Sequence, residues 1–355
     1  MGSIQDNNGD LVLVTGATGH LGFKTLLDAL QAGYRIRAAV RSESKANKIT
    51  SNPDFKALNI PEGQLTFVIV PDLQTPGAYD EAVKGVKYVV HIASPITTGG
   101  QLTSEQYHEY FIKPAVAGTI GMLQSAAKSS SVERVVITSS VVAIIDFMTL
   151  MTGGSKVYTA EDRIPTPEGP FANEFHAYSA SKTAALNEAE AWMAKEKPSF
   201  DLVHIHPSFI EGRDALVKTP EEALTGTNAA VLQVVLGEKA QFAYPGNTVH
   251  NDDVSRLHVE ALNKTKVPAG SYIASSNTPQ GTYGGTRWET INEIVAKNFP
   301  EQIKAGLLKN TGLQTSSKND VDASKTEKTF GWNFQEFESQ VTSVVQMYLD
   351  VLPKA

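Results

Sequence analysis

The sequence predicts an α/β fold organised around a parallel sheet, and three observations support this prediction. Leu11–Thr15 is a short, continuous apolar segment, as in a strand that is buried on both faces. A glycine-rich turn, residues 16–22, follows it and leads into a helical segment that extends to about Ala32. A later strand, Arg134–Ser140, ends in hydroxyl groups, which at the carboxyl edge of a parallel sheet would face a ligand crevice.

The composition is that of an ordinary globular protein and argues against several classes of function. Of the 355 residues, 41% are hydrophobic and 19% are charged, and the net charge is −7. Lys and Arg are scattered, so neither nucleic acid nor an anionic membrane is expected as a partner. The absence of cysteine excludes disulfides and Cys-ligated metals. A polar N-terminal segment and the lack of a long apolar segment lead us to expect a cytoplasmic protein.

The glycine-rich turn has the residues that a dinucleotide-binding turn requires. In Gly16-Ala17-Thr18-Gly19-His20-Leu21-Gly22 the first glycine permits a tight turn and the second lets the backbone approach a pyrophosphate. The third lets the helix pack closely against the strand. The N-terminus of that helix offers free N–H groups and a positive dipole end to phosphates. A purely structural turn is the alternative, which the flanking strand and helix disfavour.

A second motif, Tyr178-Ser179-Ala180-Ser181-Lys182, begins a segment of good helix formers that extends to Lys197. Residues four apart share one face of a helix, so Tyr178 and Lys182 point the same way. A tyrosine has a pKa of about 10, and a nearby ammonium lowers it. The pair is therefore a candidate general acid/base. An isolated match to this spacing is more often an ordinary helix surface, and here the surrounding motifs favour the catalytic interpretation.

Taken together, these motifs resemble those of the extended branch of the short-chain dehydrogenase/reductase superfamily. Val249–Val254 also resembles its His-Val-Asp-Asp-Val segment, and the resemblance covers essentially the whole chain. It is nearest to fungal carbonyl reductases and to dihydroflavonol and cinnamoyl-CoA reductases. It implies a doubly wound parallel sheet, or Rossmann domain, at 9–210 and about 245–275. A smaller substrate-binding lobe is implied at about 211–244 and 276–355, in a monomer or homodimer.

The end of the second predicted strand, Tyr34–Arg41, indicates the cofactor. In this fold it faces the adenosine ribose, where an acidic residue would bind the ribose hydroxyls and repel a 2′-phosphate. This chain has Arg41 there, with Lys45 soon after, and a cation favours the 2′-phosphate. The sequence therefore predicts NADPH rather than NADH. The alternative is that Arg41 is a solvated strand-end residue.

The resemblance also implies a set of site residues. Those at the cofactor are Thr15, Gly16, Thr18, Gly19, His20, Leu21, Gly22, Arg41, Lys45, Asp72, Leu73, Ile92, Ala93, Ser94, Thr138, Tyr178, Lys182, Pro207 and Ser208. Tyr178, Lys182 and Ser140 are the implied catalytic residues, with Ser139 as the alternative hydroxyl. Pro95, Phe147 and Phe175 are assigned to the substrate pocket, although both Phe residues are equally compatible with the core.

Some other residues have no assigned role in catalysis. Many relatives carry an Asn where Ala117 stands, which supports the active-site Lys through water, so the group that serves here is left open. His91 is interpreted as a packed residue. His204 and His206 alternate on one strand without a third ligand at suitable spacing, so we predict no metal site. A long helix is predicted at roughly Ser104–Ser129, a second helix at Tyr178–Lys197, and a long loop at the pocket wall at Asp146–His176.

The activity implied is NADPH-dependent reduction of a small-molecule carbonyl (an aldehyde, ketone or keto ester), with Tyr178 as the proton donor. Two alternatives stay open. One is an NAD(P)-dependent epimerase or dehydratase of a sugar nucleotide, and the other is a dinucleotide sensor without catalysis. The fold is compatible with all three functions, so only the chemistry of the site can distinguish them.

Overall fold

A computed structural model describes residues 9–97, 99–276 and 286–353. The chain divides into two compact units. The first comprises the residues up to Ile145 together with Glu161–His206 and Ser255–Tyr272. The second comprises Asp146–Ala160, Pro207–Val254 and the residues from Ile273 onwards.

The strands of the described residues are, in chain order, β1 (Leu11–Thr15), β2 (Arg35–Val40), β3 (Leu65–Ile69), β4 (Tyr88–His91), β5 (Arg134–Thr138), β6 (Asp201–Pro207), β7 (Phe209–Glu211), β8 (Tyr244–Pro245), β9 (Thr248–His250), β10 (Gly270–Ala274) and β11 (Ser316–Ser317). The helices are α1 (His20–Gln31), α2 (Glu43–Thr50), α3 (Pro53–Ala57), α4 (Lys113–Ala127), α5 (Phe147–Thr152), α6 (Glu174–Glu196), α7 (Pro220–Ala223), α8 (Ala229–Val235), α9 (Asn251–Glu260), α10 (Ile291–Asn298), α11 (Pro300–Lys304), α12 (Ser324–Phe330) and α13 (Phe337–Asp350).

A seven-stranded sheet in the order β10-β6-β5-β4-β1-β2-β3 confirms the predicted fold class. Strands β1 to β6 pair in parallel. The chain order reverses at β1, which lies between β2 and β4. In a doubly wound sheet, ligands bind outside the carboxyl ends of the strands at such a reversal. The glycine turn after β1 and the loop after β4 therefore border the predicted ligand crevice.

The continuous apolar character of the strands follows from burial on both faces of the sheet. Val12, Leu13 and Val14 of β1 have no exposed surface. The core that contains Leu13 also includes buried residues of β4, β5 and α4. A strand covered by helices on both sides has no solvent face, and so it lacks polar alternation.

A buried arginine in a partly buried ion pair holds the amino end of β5. The Arg134 side chain is 1% exposed and donates from Nε and Nη2 to both oxygens of Asp201, on β6, at 2.7 and 2.9 Å. Its Nη1 donates to the carbonyl oxygens of Ala261 and Val267 at 2.6 and 2.7 Å. A buried guanidinium needs such partners, because an unpaired buried charge is strongly destabilising. The contacts fix the strand whose other end carries Thr138.

Two predicted helices differ from the structure in their bounds. Instead of a continuous helix at Ser104–Ser129, the chain forms a 3-10 turn at Ser104–Gln106, a π-helical turn at His108–Ile112 and then α4. Pro114 explains the break, because proline lacks an N–H and crowds the preceding turn. The helix predicted from Tyr178 begins instead at Glu174, where the Asn173 side chain accepts a hydrogen bond from the His176 N–H at 2.9 Å.

The second unit has its own core, in which Trp288 and Val344 are fully buried and α8, α10 and α13 pack together. It also contains 146–160, which the sequence-based division assigned to the Rossmann domain. The reason is long-range pairing: Gly154 N–H donates to the Lys318 carbonyl at 2.9 Å, and Ser317 Oγ donates to the Leu150 carbonyl at 3.1 Å. No helix in the described ranges is sufficiently long and apolar to cross a lipid bilayer.

Candidate active site

The glycine turn between β1 and α1 fits a dinucleotide. Gly16 has φ +73°, and a Cβ there would lie 2.8 Å from the Ala93 nitrogen. A Cβ at Gly22 would lie 2.1 Å from the Gly16 oxygen, so this glycine permits close packing of helix on turn. At Gly19 the nearest atom to an added Cβ among the described residues, apart from its chain neighbours, is the Gly16 oxygen at 3.6 Å. Within the described ranges no side chain caps α1 at Gly19, so the turn leaves room and backbone N–H groups for phosphates.

Thr15 organises the loop after β4. Its Oγ1 accepts hydrogen bonds from the backbone N–H groups of Ile92 and Ala93, each at 3.1 Å, and lies 3.0 Å from His91 Nδ1. Burial, together with the charge of Lys182, lowers the pKa of His91 to about 4. His91 is therefore neutral at physiological pH, in keeping with a packed rather than an acid/base role. Ser94 and Pro95 follow as half-buried residues.

Two of the residues predicted at the adenosine end, Arg41 and Asp72, lie close enough to Tyr79 for their charges to act on it. Arg41 is exposed directly after β2, and Lys45 is exposed in the first turns of α2. Within the described part of the chain neither side chain forms an ion pair. Burial raises the pKa of Tyr79, while the charge of Arg41 opposes this rise and that of Asp72 adds to it. Leu73 is half-buried and packs against the core, and a Cβ at Gly118 would lie 2.5 Å from its side chain.

Helix α6 presents Tyr178 and Lys182 beside the carboxyl end of β5. Lys182 Nζ donates to the Thr138 carbonyl at 3.3 Å and lies 5.8 Å from the centroid of the Tyr178 ring. The helix is fixed against the turn after β5, because Ser179 Oγ donates to the Val142 carbonyl at 3.0 Å. The ring of Phe175 stacks on that of Tyr178, with centroids 6.4 Å apart. The predicted pair thus lies at the sheet edge where ligands bind.

The acid/base properties of the pair differ from the sequence-based expectation. Burial raises the pKa of Tyr178 to about 12 and lowers that of Lys182 to about 8. Lys182 does not lower the pKa of Tyr178, because desolvation dominates for both side chains. Without ligands Tyr178 therefore keeps its proton at neutral pH, as a general acid must.

The two candidate hydroxyls after β5 have different surroundings. Ser140 is half-buried, and its Oγ accepts from the Val142 N–H at 3.3 Å. His206 Nδ1 lies 3.3 Å from the Ser140 carbonyl oxygen. Ser139 Oγ is buried, has no partner among the described groups and lines a cavity beside Lys182. Ser140 remains the predicted substrate hydroxyl.

Three predicted residues belong to the second unit. Pro207 ends β6, and Ser208 Oγ donates to the Ala274 carbonyl at 3.1 Å, which gives this hydroxyl a structural partner. Phe147 begins α5 and is half-buried. Their roles towards cofactor and substrate stay predictions.

One residue at the site, His204, was missed as a functional candidate. From the sequence, His204 was considered only as a metal ligand, and the described residues contain no group of three His, Cys, Asp or Glu that could hold a metal. The structure instead places His204 at the cavity beside Lys182, with an unpaired Nε2. The signal in the sequence was a histidine between the apolar residues Val203 and Ile205 of a strand, where a buried polar group needs a partner.

Comparisons with known proteins identify the family of this chain. Residues 12–273 match the NAD dependent epimerase/dehydratase family. The chain is 40% identical to Ketoreductase CTB6 of Cercospora nicotianae over 97% of this chain and 96% of the other. It is 30% identical to Aldehyde reductase 2 of Sporidiobolus salmonicolor over 83% and 82%.

A solved structure shares the fold. Yeast methylglyoxal/isovaleraldehyde reductase Gre2, solved in complex with NADPH, matches with a TM-score of 0.77 and 21% identity over 96% of this chain and 98% of that one. The chain belongs to the NAD-dependent epimerase/dehydratase family, that is, to the extended short-chain dehydrogenases/reductases.

Proposed function

We propose that this protein is an NADPH-dependent reductase that converts the carbonyl group of a small molecule, an aldehyde, ketone or keto ester, to an alcohol. The observation that carries the proposal is the position of Tyr178 and Lys182 on one face of α6, with Lys182 bonded to the end of β5. The glycine turn fits the cofactor, and two relatives are named a ketoreductase and an aldehyde reductase.

Each side chain has a role that follows from its chemistry. When bound, the nicotinamide supplies a hydride to the carbonyl carbon, and negative charge grows on the carbonyl oxygen. Tyr178 holds a proton at neutral pH and donates it to that oxygen. Ser140 donates a further hydrogen bond, which strengthens as the charge develops. Lys182 is largely protonated at pH 7, because its pKa is about 8, and places a positive charge beside the Tyr178 ring.

Cofactor preference rests on Arg41 and Lys45, which are exposed and outside ion pairs among the described residues. An Arg41→Glu variant is expected to raise KM for NADPH about 10-fold or more, because hydrogen bonds between charged groups contribute roughly 1.5–3 kcal/mol. KM for NADH is expected to change much less, since NADH has no 2′-phosphate. Steady-state kinetics with both cofactors measures the difference.

The matched control is Arg35→Glu, which makes the same charge change on an exposed residue at the other end of β2, roughly 20 Å away. It is expected to leave the ratio of the two KM values at its wild-type level. Equal effects of Arg41→Glu on NADPH and NADH would remove the basis for NADP preference.

A second candidate is an epimerase or dehydratase of a sugar nucleotide, which the description of the matching family favours. Such enzymes return the hydride to the same substrate, so they retain NAD⁺ through catalysis. Chromatography of the nucleotide released from denatured, purified protein distinguishes the two. Stoichiometric NAD⁺ supports the epimerase, whereas little or no retained nucleotide supports the reductase.

The experiment that tests the reductase is oxidation of NADPH in the presence of aldehydes, ketones and keto esters. Turnover with NADPH exceeding that with NADH is the expected result. Tight NADPH binding without turnover of any carbonyl would favour the dinucleotide sensor instead.

A further inference from the structure

A small cavity lies beside the predicted catalytic lysine in the first unit. Its volume is about 20 Å³, and its polar lining residues include Ser139, Lys182 and His204, with Ile137 and Leu186 among the apolar ones. A cavity that admits a probe of water size over roughly 10–15 Å³ has room for one water, provided that two to four polar groups can hold it. The cavity meets both conditions.

Two polar atoms of the cavity wall lack partners. Ser139 Oγ and His204 Nε2 are buried and form no hydrogen bond with any described group. Both side chains are almost fully buried, with exposures of 7% and 4%. Buried polar atoms are nearly always satisfied, by protein or by ordered water. Both residues line the cavity, so one water bound there would form a hydrogen bond with each of the two atoms.

Lys182, which also lines the cavity, has N–H donors that can bind a water there. Its ammonium carries three N–H groups, and the bond to the Thr138 carbonyl at 3.3 Å uses one of them. The side chain is 7% exposed, so bulk water does not solvate the charge. Burial lowers the pKa of an ammonium. Hydrogen-bond acceptors around it oppose this change, because they replace the lost hydration.

His204 is suited to be an acceptor. Burial lowers its pKa to about 4, with the charge of Arg163 adding to this effect and that of Glu190 opposing it. His204 is therefore neutral across the physiological range, and one ring nitrogen carries a lone pair. His91 also lines the cavity, but its Nδ1 lies against Thr15.

We propose that His204 is a positioning residue, which together with Ser139 holds one buried water against Lys182 Nζ and so keeps the ammonium charged and oriented. This inference rests on the proposed function for its catalytic meaning. Many relatives support this lysine through water with an Asn at the position of Ala117. In this chain, His204 and Ser139 would provide that support. Ala117 itself is half-buried on α4, and Thr119, two residues further on, lines the cavity.

The first test measures the pKa of Lys182 directly. Protein labelled with ¹³C at lysine Cε is titrated by NMR without cofactor, and the resonance is assigned with Lys182→Met. His204→Leu removes the acceptor, so the pKa of Lys182 is expected to fall by about one unit, which corresponds to a tenfold change in the protonation equilibrium. His204→Gln keeps an acceptor near the position of Nε2 and is expected to restore the wild-type value.

The second test follows the same groups in turnover. Charged Lys182 is the active form, so the high-pH limb of kcat/KM is expected to move to lower pH by about one unit in His204→Leu and to return in His204→Gln. If His204→Leu does not fold, Ser139→Ala tests the other water ligand and should shift the pKa in the same direction.

An unchanged Lys182 pKa in folded His204→Leu would overturn the inference, as would a shift that His204→Gln fails to reverse. The NMR titration needs no turnover, so it separates this inference from the proposed function. Wild-type protein that reduces no carbonyl refutes the reductase, while the lysine titration still decides the role of His204.

Discussion

Replacing Tyr178 by Phe is expected to lower kcat by at least about 10²–10⁴-fold, the usual contribution of a general acid. The variant loses only the hydroxyl that protonates the carbonyl oxygen. The phenyl ring keeps its stacking on Phe175, so the local packing and the dissociation constant for NADPH are expected to stay near wild type. Single-turnover kinetics at saturating NADPH, with the cofactor affinity measured separately by fluorescence, checks both parts.

Tyr110→Phe is the matched control for this variant. Tyr110 is 40% exposed, and its ring contacts Phe111, whose cluster also includes Tyr178, so the control removes a nearby phenolic hydroxyl that has no part in the proposed chemistry. Its kcat is expected to equal that of the wild type. Near-normal turnover by Tyr178→Phe with cofactor bound would show that another group supplies the proton.

A Gly22→Ala variant is expected to lose roughly 3 kcal/mol of stability, at the upper end of the usual cost of overpacking. The added Cβ would lie 2.1 Å from the oxygen and 2.6 Å from the carbonyl carbon of Gly16. Both atoms belong to the backbone of the turn, so relief requires the turn itself to move. Because that turn is the proposed phosphate site, NADPH affinity is expected to fall with stability. Urea unfolding and fluorescence titration measure the two effects.

Gly121→Ala provides the control, because it makes the same change within another helix, α4. There the nearest atom to the new Cβ, apart from its immediate surroundings in the helix, is the Leu73 oxygen at an ordinary 3.9 Å. Alanine favours a helix over glycine by about 0.5–1 kcal/mol, so this variant is expected to be as stable as the wild type or slightly more so. Equal unfolding curves for the two variants would contradict the close packing inferred at Gly22.

The features that the sequence predicted correctly are those set by local spacing. The three glycines of the turn lie within seven residues, and their positions relative to β1 and α1 follow from the strand–turn–helix order. Tyr178 and Lys182 share a face because a helix repeats every 3.6 residues. The parallel sheet was foreseen because strands buried on both faces cannot alternate polar and apolar residues.

The features that escaped prediction depend on contacts between distant segments. The unit to which 146–160 belongs is decided by its pairing with Ser317 and Lys318, more than 150 residues away. Burial raises the pKa of Tyr178, and the spacing of a motif does not reveal burial. The lowering of this pKa that was expected from Lys182 does not occur. The cavity beside His204 likewise depends on distant segments, because residues from several strands and helices line it.

The fate of the hydride decides whether this protein is a carbonyl reductase. The protein is incubated with a reducible ketone and NADPH that carries deuterium at C4 of the nicotinamide, on one face or on the other. We expect the alcohol to carry one deuterium on its carbinol carbon, from one of the two labelled cofactors only. Alcohol without deuterium from either cofactor, or unreduced ketone across the whole panel of carbonyl compounds, would contradict it.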